Sequence, residues 1–298
     1  MKVLLTGTSG RIGRAIRAEL EARGHRVMGL DRVPAAGTDL VVDLGDAAAL
    51  AAACAPVLDT HTCIVHCAGL HAPHVGVLPD AEFQRINVDG TRALAALALQ
   101  QGVRHLVFTS TTALYGASSV AATPGAETGW IDEDSVPQPA TIYHRSKLAA
   151  EQCLKDASSS GALGVTVLRM SRCFPEPAPA MALYRLHRGV DARDVARAHA
   201  LALERGPVAG EPALLVSGHT PFERSDAAAL WHDAAAVLRL RAPALVAAFA
   251  QRGWALPARI DRVYCAARAQ TALGWRPQLG PEEVLRQLDA GAPEVLPP

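Results

Sequence analysis

The segment TGTSGRIG, residues 6–13, constrains the fold most, because it joins an apolar run to an amphipathic one. The preceding KVLLT is typical of a buried strand, and the following RIGRAIRAEL has the apolar spacing of a helix. Gly7, Gly10 and Gly13 lie at the join. Glycine permits a sharp turn and a close approach to a pyrophosphate, whose charge is met by the free amides of the helix N-terminus. The segment therefore predicts a dinucleotide-binding βα turn.

A carboxylate follows at the position where such a fold uses one. Asp31 ends the second apolar run, HRVMGLD, about 20 residues after the loop. There it can accept hydrogen bonds from both adenosine ribose hydroxyls and repel a 2'-phosphate, so NAD is favoured over NADP. Arg11 and Arg32 lie nearby and could weaken that preference. The alternatives are a bare strand-to-helix turn and an ordinary turn carboxylate. This region's predicted cofactor contacts are Gly7, Ser9, Gly10, Arg11, Ile12, Gly13, Asp31 and Arg32.

Short apolar runs alternate with amphipathic segments along most of the chain, which is the rhythm of a parallel sheet flanked by helices. We expect an α/β fold: a doubly wound parallel-sheet Rossmann domain with a smaller, mostly helical C-terminal substrate lobe. The Rossmann domain should comprise residues 1–171, with 190–218 returning to it, and the lobe residues 172–189 and 219–298. The lobe should begin at CFPEPAPAM, whose prolines disfavour both a helix and a central strand.

The composition of the chain limits the classes of binding partner that we expect. The 298 residues include 29 basic and 29 acidic ones, so no overall charge attracts nucleic acid or an anionic membrane, and a small-molecule partner is expected. The N-terminal apolar run is cut short by Gly7, so we expect no signal peptide or membrane span and a cytoplasmic protein. The six cysteines form no CxxC pair, and His71 and His74 lack a third ligand nearby, so no metal is expected.

The stretch TIYHRSKLAAEQ places Tyr143 and Lys147 one turn apart on one face of a predicted helix. They could form a surface pair, a core tyrosine beside a solvated lysine, or a proton-transfer device. Upstream hydroxyls at Ser110 and Thr111 favour the third interpretation. An ammonium and an oxidised nicotinamide would both favour the phenolate, so Tyr143 could take a proton from an alcohol while a hydride leaves the same carbon.

Taken together, these motifs resemble the extended short-chain dehydrogenase/reductase family, which includes NAD-dependent sugar epimerases and dehydratases. The resemblance runs almost from end to end. It rests on TGTSGRIG at 6–13, Asp31, DL at 43–44, HCAG at 66–69, NVDGT at 87–91, STTALYG at 110–116, YHRSK at 143–147 and a late DARDVARAH.

The resemblance implies roles for individual residues. Tyr143 would be the catalytic base, Lys147 would also hold the nicotinamide ribose, and Thr111, with Ser110 as the fallback, would bind the substrate oxygen. In this family the alanine-rich helices near 81–101 and 143–157 would form a homodimer. The further cofactor contacts implied are Asp43 and Leu44 at the adenine, Ala68 and Gly69 at the pyrophosphate, Asn87 as a support from its helix, and Cys67, Thr109 and Ser110.

Two departures from the family pattern bear on the substrate. The acid pair of the dehydratases is replaced by Thr112 and Ala113, which leaves epimerisation or dehydrogenation of a sugar. The segment after Lys147 is shorter than in nucleotide-sugar enzymes, so a nucleotide handle stays open. Arg188 and Arg259 lie near the family's diphosphate-binding arginines, and surface charges are the equal alternative. The predicted substrate contacts are His71, Thr111, Thr112, Arg188 and Arg259.

Two other functions stay open beside the sugar enzyme. One is an NAD(P)-dependent reductase or dehydrogenase of a smaller hydroxy-ketone, and the other is a non-catalytic NAD-binding regulator. The presence of Thr111, Tyr143 and Lys147 together argues against the regulator.

Overall fold

The computed structural model describes residues 1–116, 127–208 and 213–298. Its centre is a seven-stranded sheet in which every described pair of neighbours is parallel. The described strands, seven of which form this sheet, are β1 Lys2–Thr6, β2 Arg26–Asp31, β3 Leu40–Val41, β4 Thr62–His66, β5 His105–Thr111, β6 Gly129–Ile131, β7 Gly164–Met170, β8 Ala213–Val216 and β9 Arg262–Tyr264.

The strand order is β3-β2-β1-β4-β5-β7-β8. β2 and β3 therefore lie on one side of β1, and the later strands, starting with β4, lie on its other side. A crevice forms at the carboxyl ends of strands where the order reverses in this way, and such crevices bind ligands in open α/β sheets. All seven residues of β5, HLVFTST, are buried, as expected for a parallel strand covered on both faces. The predicted doubly wound sheet is confirmed.

Helices cover both faces of the sheet and build the lobe. They are α1 Arg11–Ala22, α2 Ala47–Cys54, α3 Asp80–Phe83, α4 Gly90–Gln100, α5 Ile142–Ser158, α6 Ala178–His187, α7 Ala192–Arg205, α8 Ala227–His232, α9 Ala234–Arg241, α10 Pro243–Gln251, α11 Ala267–Leu273 and α12 Pro281–Asp289. A π-helical stretch, Gln84–Asp89, joins α3 to α4.

Three apolar clusters hold these layers together. One lies between the sheet and α1, α7 and α11, and a second between the sheet and α2, α4 and α5. The third is the core of the lobe and is formed by α6, α8, α9, α10 and α12. β6 and β9 pair with each other as a separate two-stranded sheet. The crevice at the strand ends therefore has the sheet on one side and the lobe on the other.

The packing departs from the sequence expectations at two places. The prolines of CFPEPAPAM do not exclude a helix, since α6 starts inside this stretch, at Ala178. Proline at the first turn removes an amide that has no intrahelical partner, so it is tolerated there. Ala269, Leu273 and Trp275 pack with the sheet beside α1 and α7, although they lie in the stretch 219–298 expected to form the lobe.

No single helix in the described parts of the chain is long and apolar enough to cross a bilayer. Only α9 and α10 together reach the required length and apolar composition, and they are bent by 111°.

Candidate active site

A cavity of about 930 Å³ opens at the carboxyl ends of β1, β2, β4 and β5 and extends toward the lobe. The predicted cofactor contacts other than Asn87 line it. So do four of the five predicted substrate contacts: His71, Thr111, Thr112 and Arg188. The structure thus brings together residues from distant segments of the sequence in one crevice.

The glycine loop forms one end of the cavity, and its shape excludes side chains. Gly7 has a φ of 80°, and a Cβ added at Gly13 would lie 2.0 Å from the Gly7 carbonyl oxygen. Gly10 precedes α1 and offers no side chain to cap the first-turn amides. These amides and the positive end of the helix dipole fit a phosphate, so the loop fits the diphosphate of a dinucleotide.

Asp31 is held rigidly at the end of β2. Its Oδ2 accepts a hydrogen bond from the Ser9 amide (3.0 Å) and its Oδ1 accepts one from the Val33 amide (3.1 Å). A carboxylate oxygen has lone pairs beyond these, so both oxygens can still accept from a ribose. Arg32 also lines this end of the cavity.

Asp43 lies at the same end, in an ion pair. Arg85 Nη2 is 3.0 Å from its Oδ2, and the Gly45 amide donates to its Oδ1 (2.8 Å). The hydrogen bond from the Arg85 guanidinium holds the pKa of Asp43 below its usual value. Its carboxylate therefore fixes the loop that borders the cavity beside Leu44.

Tyr143 and Lys147 form the floor of the cavity, on the first two turns of α5. The helix is capped by Thr141, whose hydroxyl accepts from the His144 amide (3.3 Å). Burial raises the pKa of Tyr143 to about 12, against the opposing effect of a hydrogen bond with the Thr111 side chain. Both Tyr143 and Thr111 line the cavity, so the phenol and the threonine hydroxyl are available at one site for proton transfer.

Lys147 is buried and does not lower the phenol's pKa in the protein alone. Its Nζ donates to the Thr109 carbonyl (2.6 Å) and lies 4.0 Å from the centroid of the Phe108 ring. Burial lowers its own pKa to about 8. Burial therefore dominates the pKa of the phenol in the protein alone. The oxidised nicotinamide, which we expect to favour the phenolate together with Lys147, would add a positive charge there.

The lobe side of the cavity is aromatic and basic. The His71 ring stacks on Phe174 at 5.6 Å between centroids. Arg188 lies over Tyr184, 4.2 Å from its centroid, and pairs with Asp261 (3.3 Å). Stacked arginines keep their guanidinium planes oriented, which suits a planar or phosphate-bearing ligand.

Arg259 does not share this position. It is exposed, lies 5.4 Å from the centroid of the Trp231 ring, and is not among the described residues that line the cavity. Arg262, three residues later at the start of β9, lines the cavity instead and donates to the Gly116 carbonyl (2.7 Å). The predicted placement of Arg259 among the substrate contacts is therefore wrong as far as the cavity lining shows, and Arg262 is the arginine of this stretch that borders the cavity.

The model of the NAD dependent epimerase/dehydratase family matches residues 3–180. The chain belongs to this family. Among curated relatives, it is 31% identical to cinnamoyl-CoA reductase 1 of Oryza sativa subsp. japonica over 236 residues, covering 70% of this chain and 69% of the relative. It is 30% identical to a UDP-glucose 4-epimerase of Azospirillum brasilense over 178 residues, covering 56% of this chain but only 48% of that relative.

Two solved structures share the fold over almost the whole of this family member. A UDP-glucose 4-epimerase of Thermus thermophilus, solved in complex with NAD, is 26% identical, with a TM-score of 0.69 over 97% of this chain and 98% of that one. A short-chain dehydrogenase/reductase superfamily protein of Agrobacterium tumefaciens, solved with bound NAD, is 21% identical, with a TM-score of 0.71 over 97% and 96%. The predicted family, enzyme class and NAD cofactor are confirmed.

Asn87 of this enzyme is buried next to the cavity and hydrogen-bonds two of the segments that border it. Its Oδ1 accepts from the Leu70 amide (2.7 Å), and its Nδ2 donates to the Leu70 carbonyl (3.0 Å) and the Ser146 hydroxyl (2.9 Å). It is not among the described residues lining the cavity. From the sequence, Asn87 is expected among the cofactor contacts as a support from its helix; it lies outside the described cavity lining and ties the loop after β4 to α5, the helix that carries Tyr143 and Lys147.

A buried ionic network behind Ser110 was not foreseen from the sequence. The Ser110 hydroxyl donates to Glu151 Oε1 (2.5 Å), and Arg169 Nη2 lies 2.6 Å from Glu151 Oε2. Arg169 Nη1 also donates to the Tyr115 hydroxyl (2.8 Å). Glu151 is one turn after Lys147 on α5, and that spacing was the available signal. The network holds the carboxyl end of β5, where the hydroxyl side chains of this strand line the cavity.

Proposed function

We propose that this enzyme is an NAD-dependent epimerase or dehydrogenase of a sugar, with or without a nucleotide attached, that reacts at a hydroxyl-bearing carbon. The observation that carries the proposal is that Thr111, Tyr143 and Lys147 line the same cavity as the glycine loop. The glycine loop would hold the cofactor diphosphate, Asp31 the adenosine ribose and Lys147 the nicotinamide ribose. NAD, when bound, supplies the acceptor for a hydride.

The protein's own part in the reaction is to place and deprotonate the substrate hydroxyl. The Thr111 hydroxyl oxygen accepts from the Ala113 amide (3.0 Å), which leaves its hydrogen free to point toward the Tyr143 oxygen or a substrate oxygen. Tyr143 then receives the substrate proton. Lys147 would add its positive charge to that of the bound nicotinamide, and in the protein alone it carries that charge below its lowered pKa of about 8.

Support for a sugar comes from the relatives and from the lobe side of the cavity. The proteins named above include UDP-glucose 4-epimerases, at 30% and 26% identity. Arg172, Arg188 and Arg262 all line the cavity beyond Tyr143, where they would meet an anionic or hydroxyl-rich substrate. These residues belong to stretches 172–189 and 219–298, which we propose as the substrate-binding part of the chain.

The test is a panel of free sugars and nucleotide sugars incubated with the enzyme and NAD⁺. NADH absorbance reports net oxidation, and proton NMR of the sugar reports a change of configuration without net NADH. Tyr143→Phe is the matched control, since it keeps the ring and loses the hydroxyl. A panel in which no sugar reacts, while wild-type enzyme binds NAD normally, would overturn the sugar assignment.

The second candidate is reduction of a smaller carbonyl compound. The alignment with cinnamoyl-CoA reductase 1 covers more residues of this chain than the alignment with the Azospirillum epimerase, 236 against 178. The stacked His71–Phe174 pair would also suit a flat, apolar substrate. NADH and NADPH oxidation with hydroxy-ketones and aromatic carbonyl compounds tests this candidate, and faster turnover there than with any sugar would favour it.

A further inference from the structure

The last residues of the chain connect the lobe to the cofactor end of the cavity. The Leu296 amide donates to the Glu176 carbonyl (3.0 Å), and the Ala178 amide donates to the Leu296 carbonyl (3.0 Å). Val295 is buried in the lobe core. These contacts hold residues 293–296 in place beside the cavity, which Pro293 and Glu294 line.

Glu294 projects its carboxylate onto the glycine loop. It forms an ion pair with Arg11, the first residue of α1. The Arg11 side chain is 22% exposed and the Glu294 side chain 45%. Both residues line the same cavity as Gly10 and Gly13, so the carboxylate lies at the end of the cavity that fits a diphosphate.

A carboxylate at this place opposes the binding of another anion. A helix N-terminus attracts a phosphate through its amides and its dipole, and a guanidinium on the first turn would add a charged donor. Here that guanidinium already has an anionic partner. A dinucleotide diphosphate must therefore either displace Glu294 from Arg11 or bind against its negative charge.

We propose that Glu294 sets the affinity for the cofactor by competing with the NAD diphosphate for Arg11. This proposal rests on the proposed placement of the diphosphate on the glycine loop. Its effect is to weaken cofactor binding and make the cofactor exchangeable. A dehydrogenase or reductase must exchange its cofactor at every turnover, whereas an epimerase regenerates the oxidised form in place. Glu294 therefore favours net oxidation or reduction as the reaction of this site.

The experiment measures NADH affinity by fluorescence titration at low ionic strength, without any substrate. The variants are Glu294→Gln, Arg11→Met, the double variant, and Glu282→Gln as control. Glu282→Gln makes the same change in net charge. Glu282 is exposed on α12 and lies outside the cavity lining, so its replacement leaves the cavity unchanged. Glu294→Gln should bind NADH about tenfold more tightly, as expected for removing a charge near the ligand, and Glu282→Gln should bind like wild type.

The double variant tests the competition itself. In wild type, Arg11 gains the diphosphate only by losing Glu294, so Arg11→Met should cost less affinity there than in the Glu294→Gln background. Equal costs in both backgrounds, or a Glu294→Gln variant that binds no more tightly than wild type, would overturn the proposal. Wild-type protein that binds no NADH would instead overturn the proposed cofactor site. Glu294→Ala repeats the measurement with a variant that cannot form a new hydrogen bond.

Discussion

Replacement of Lys147 by methionine should stabilise the fold while it removes activity. Lys147 is 6% exposed, and burial lowers its pKa from 10.5 to about 8. At about 1.4 kcal/mol per pKa unit, keeping this ammonium charged in the folded protein at pH 7 costs about 3 kcal/mol. Methionine is similar in length and uncharged. It loses the hydrogen bond to the Thr109 carbonyl, which contributes about 1 kcal/mol, so Lys147→Met should raise the free energy of unfolding by about 2 kcal/mol.

The pH dependence of the stability difference between the variant and wild type shows whether the buried Lys147 ammonium causes it. The unfolded chain keeps the Lys147 proton up to pH 10.5 and the folded protein only up to about 8. Between these values the unfolded state binds more protons, so the unfolding free energy of wild type rises with pH. The advantage of the variant should therefore be full below pH 8, vanish at about pH 10 and become a deficit of up to about 1 kcal/mol at higher pH, where the lost hydrogen bond remains.

The assay is urea unfolding at pH 7, 9 and 10, followed by far-UV circular dichroism in the absence of NAD. Lys155→Met is the control, because Lys155 is exposed on the same helix and should show neither the stabilisation nor its pH dependence. A Lys147→Met variant that is no more stable than wild type at pH 7, or one whose advantage stays constant with pH, would refute the reasoning.

Four further outcomes are expected for the site and for the fold. Tyr143→Phe should lower kcat by about 10² to 10⁴ on the true substrate with an unchanged melting temperature, and near-full turnover would contradict its role as base. The protein should bind NADH more tightly than NADPH in paired titrations, and a tenfold preference for NADPH would contradict the role given to Asp31. Light scattering at micromolar concentration should give a dimer mass, and a monomer mass would contradict it. Stability should fall as the pH drops below 6.5, by roughly 2 kcal/mol at pH 5 for each histidine of low pKa, because burial lowers four histidine pKa values to about 4 or below, and an unchanged urea midpoint would contradict this. Those pKa values are about 3 for His66 and His187 and about 4 for His105 and His199.

The parts of the site that could be predicted are those set by short stretches of sequence. The glycine loop needs small residues within eight positions of one another, and the Tyr143–Lys147 pair needs only one helical turn. Their chemistry is therefore visible in the residue order. The sheet was predictable for a related reason, since its strands are continuous apolar runs buried on both faces.

The parts that could not be predicted depend on contacts between distant segments. Glu294 meets Arg11 only because the lobe folds back over the start of α1. Of Arg259 and Arg262, the second lines the cavity, and it does so from the first residue of β9, a strand that pairs with the distant β6. Neither position has a local sequence pattern that marks it.

The end of β5 shows how such distant contacts prepare a local motif for catalysis. Residues 109–112 carry the hydroxyls of the site, and they are held from several directions. The bonds are the Lys147 ammonium to the Thr109 carbonyl (2.6 Å), His199 with the Thr109 hydroxyl (2.8 Å), Ser110 to Glu151 (2.5 Å) and the Tyr264 hydroxyl to the Thr112 carbonyl (3.3 Å). These partners come from α5, α7 and β9, so two helices packed on the sheet and a strand outside it fix Thr109, Ser110 and Thr112. A hydroxyl that must meet a reacting oxygen gains rate from being positioned before the substrate arrives. Thr111 lies within this segment and lines the cavity, and its position there is held because its neighbours on both sides are anchored.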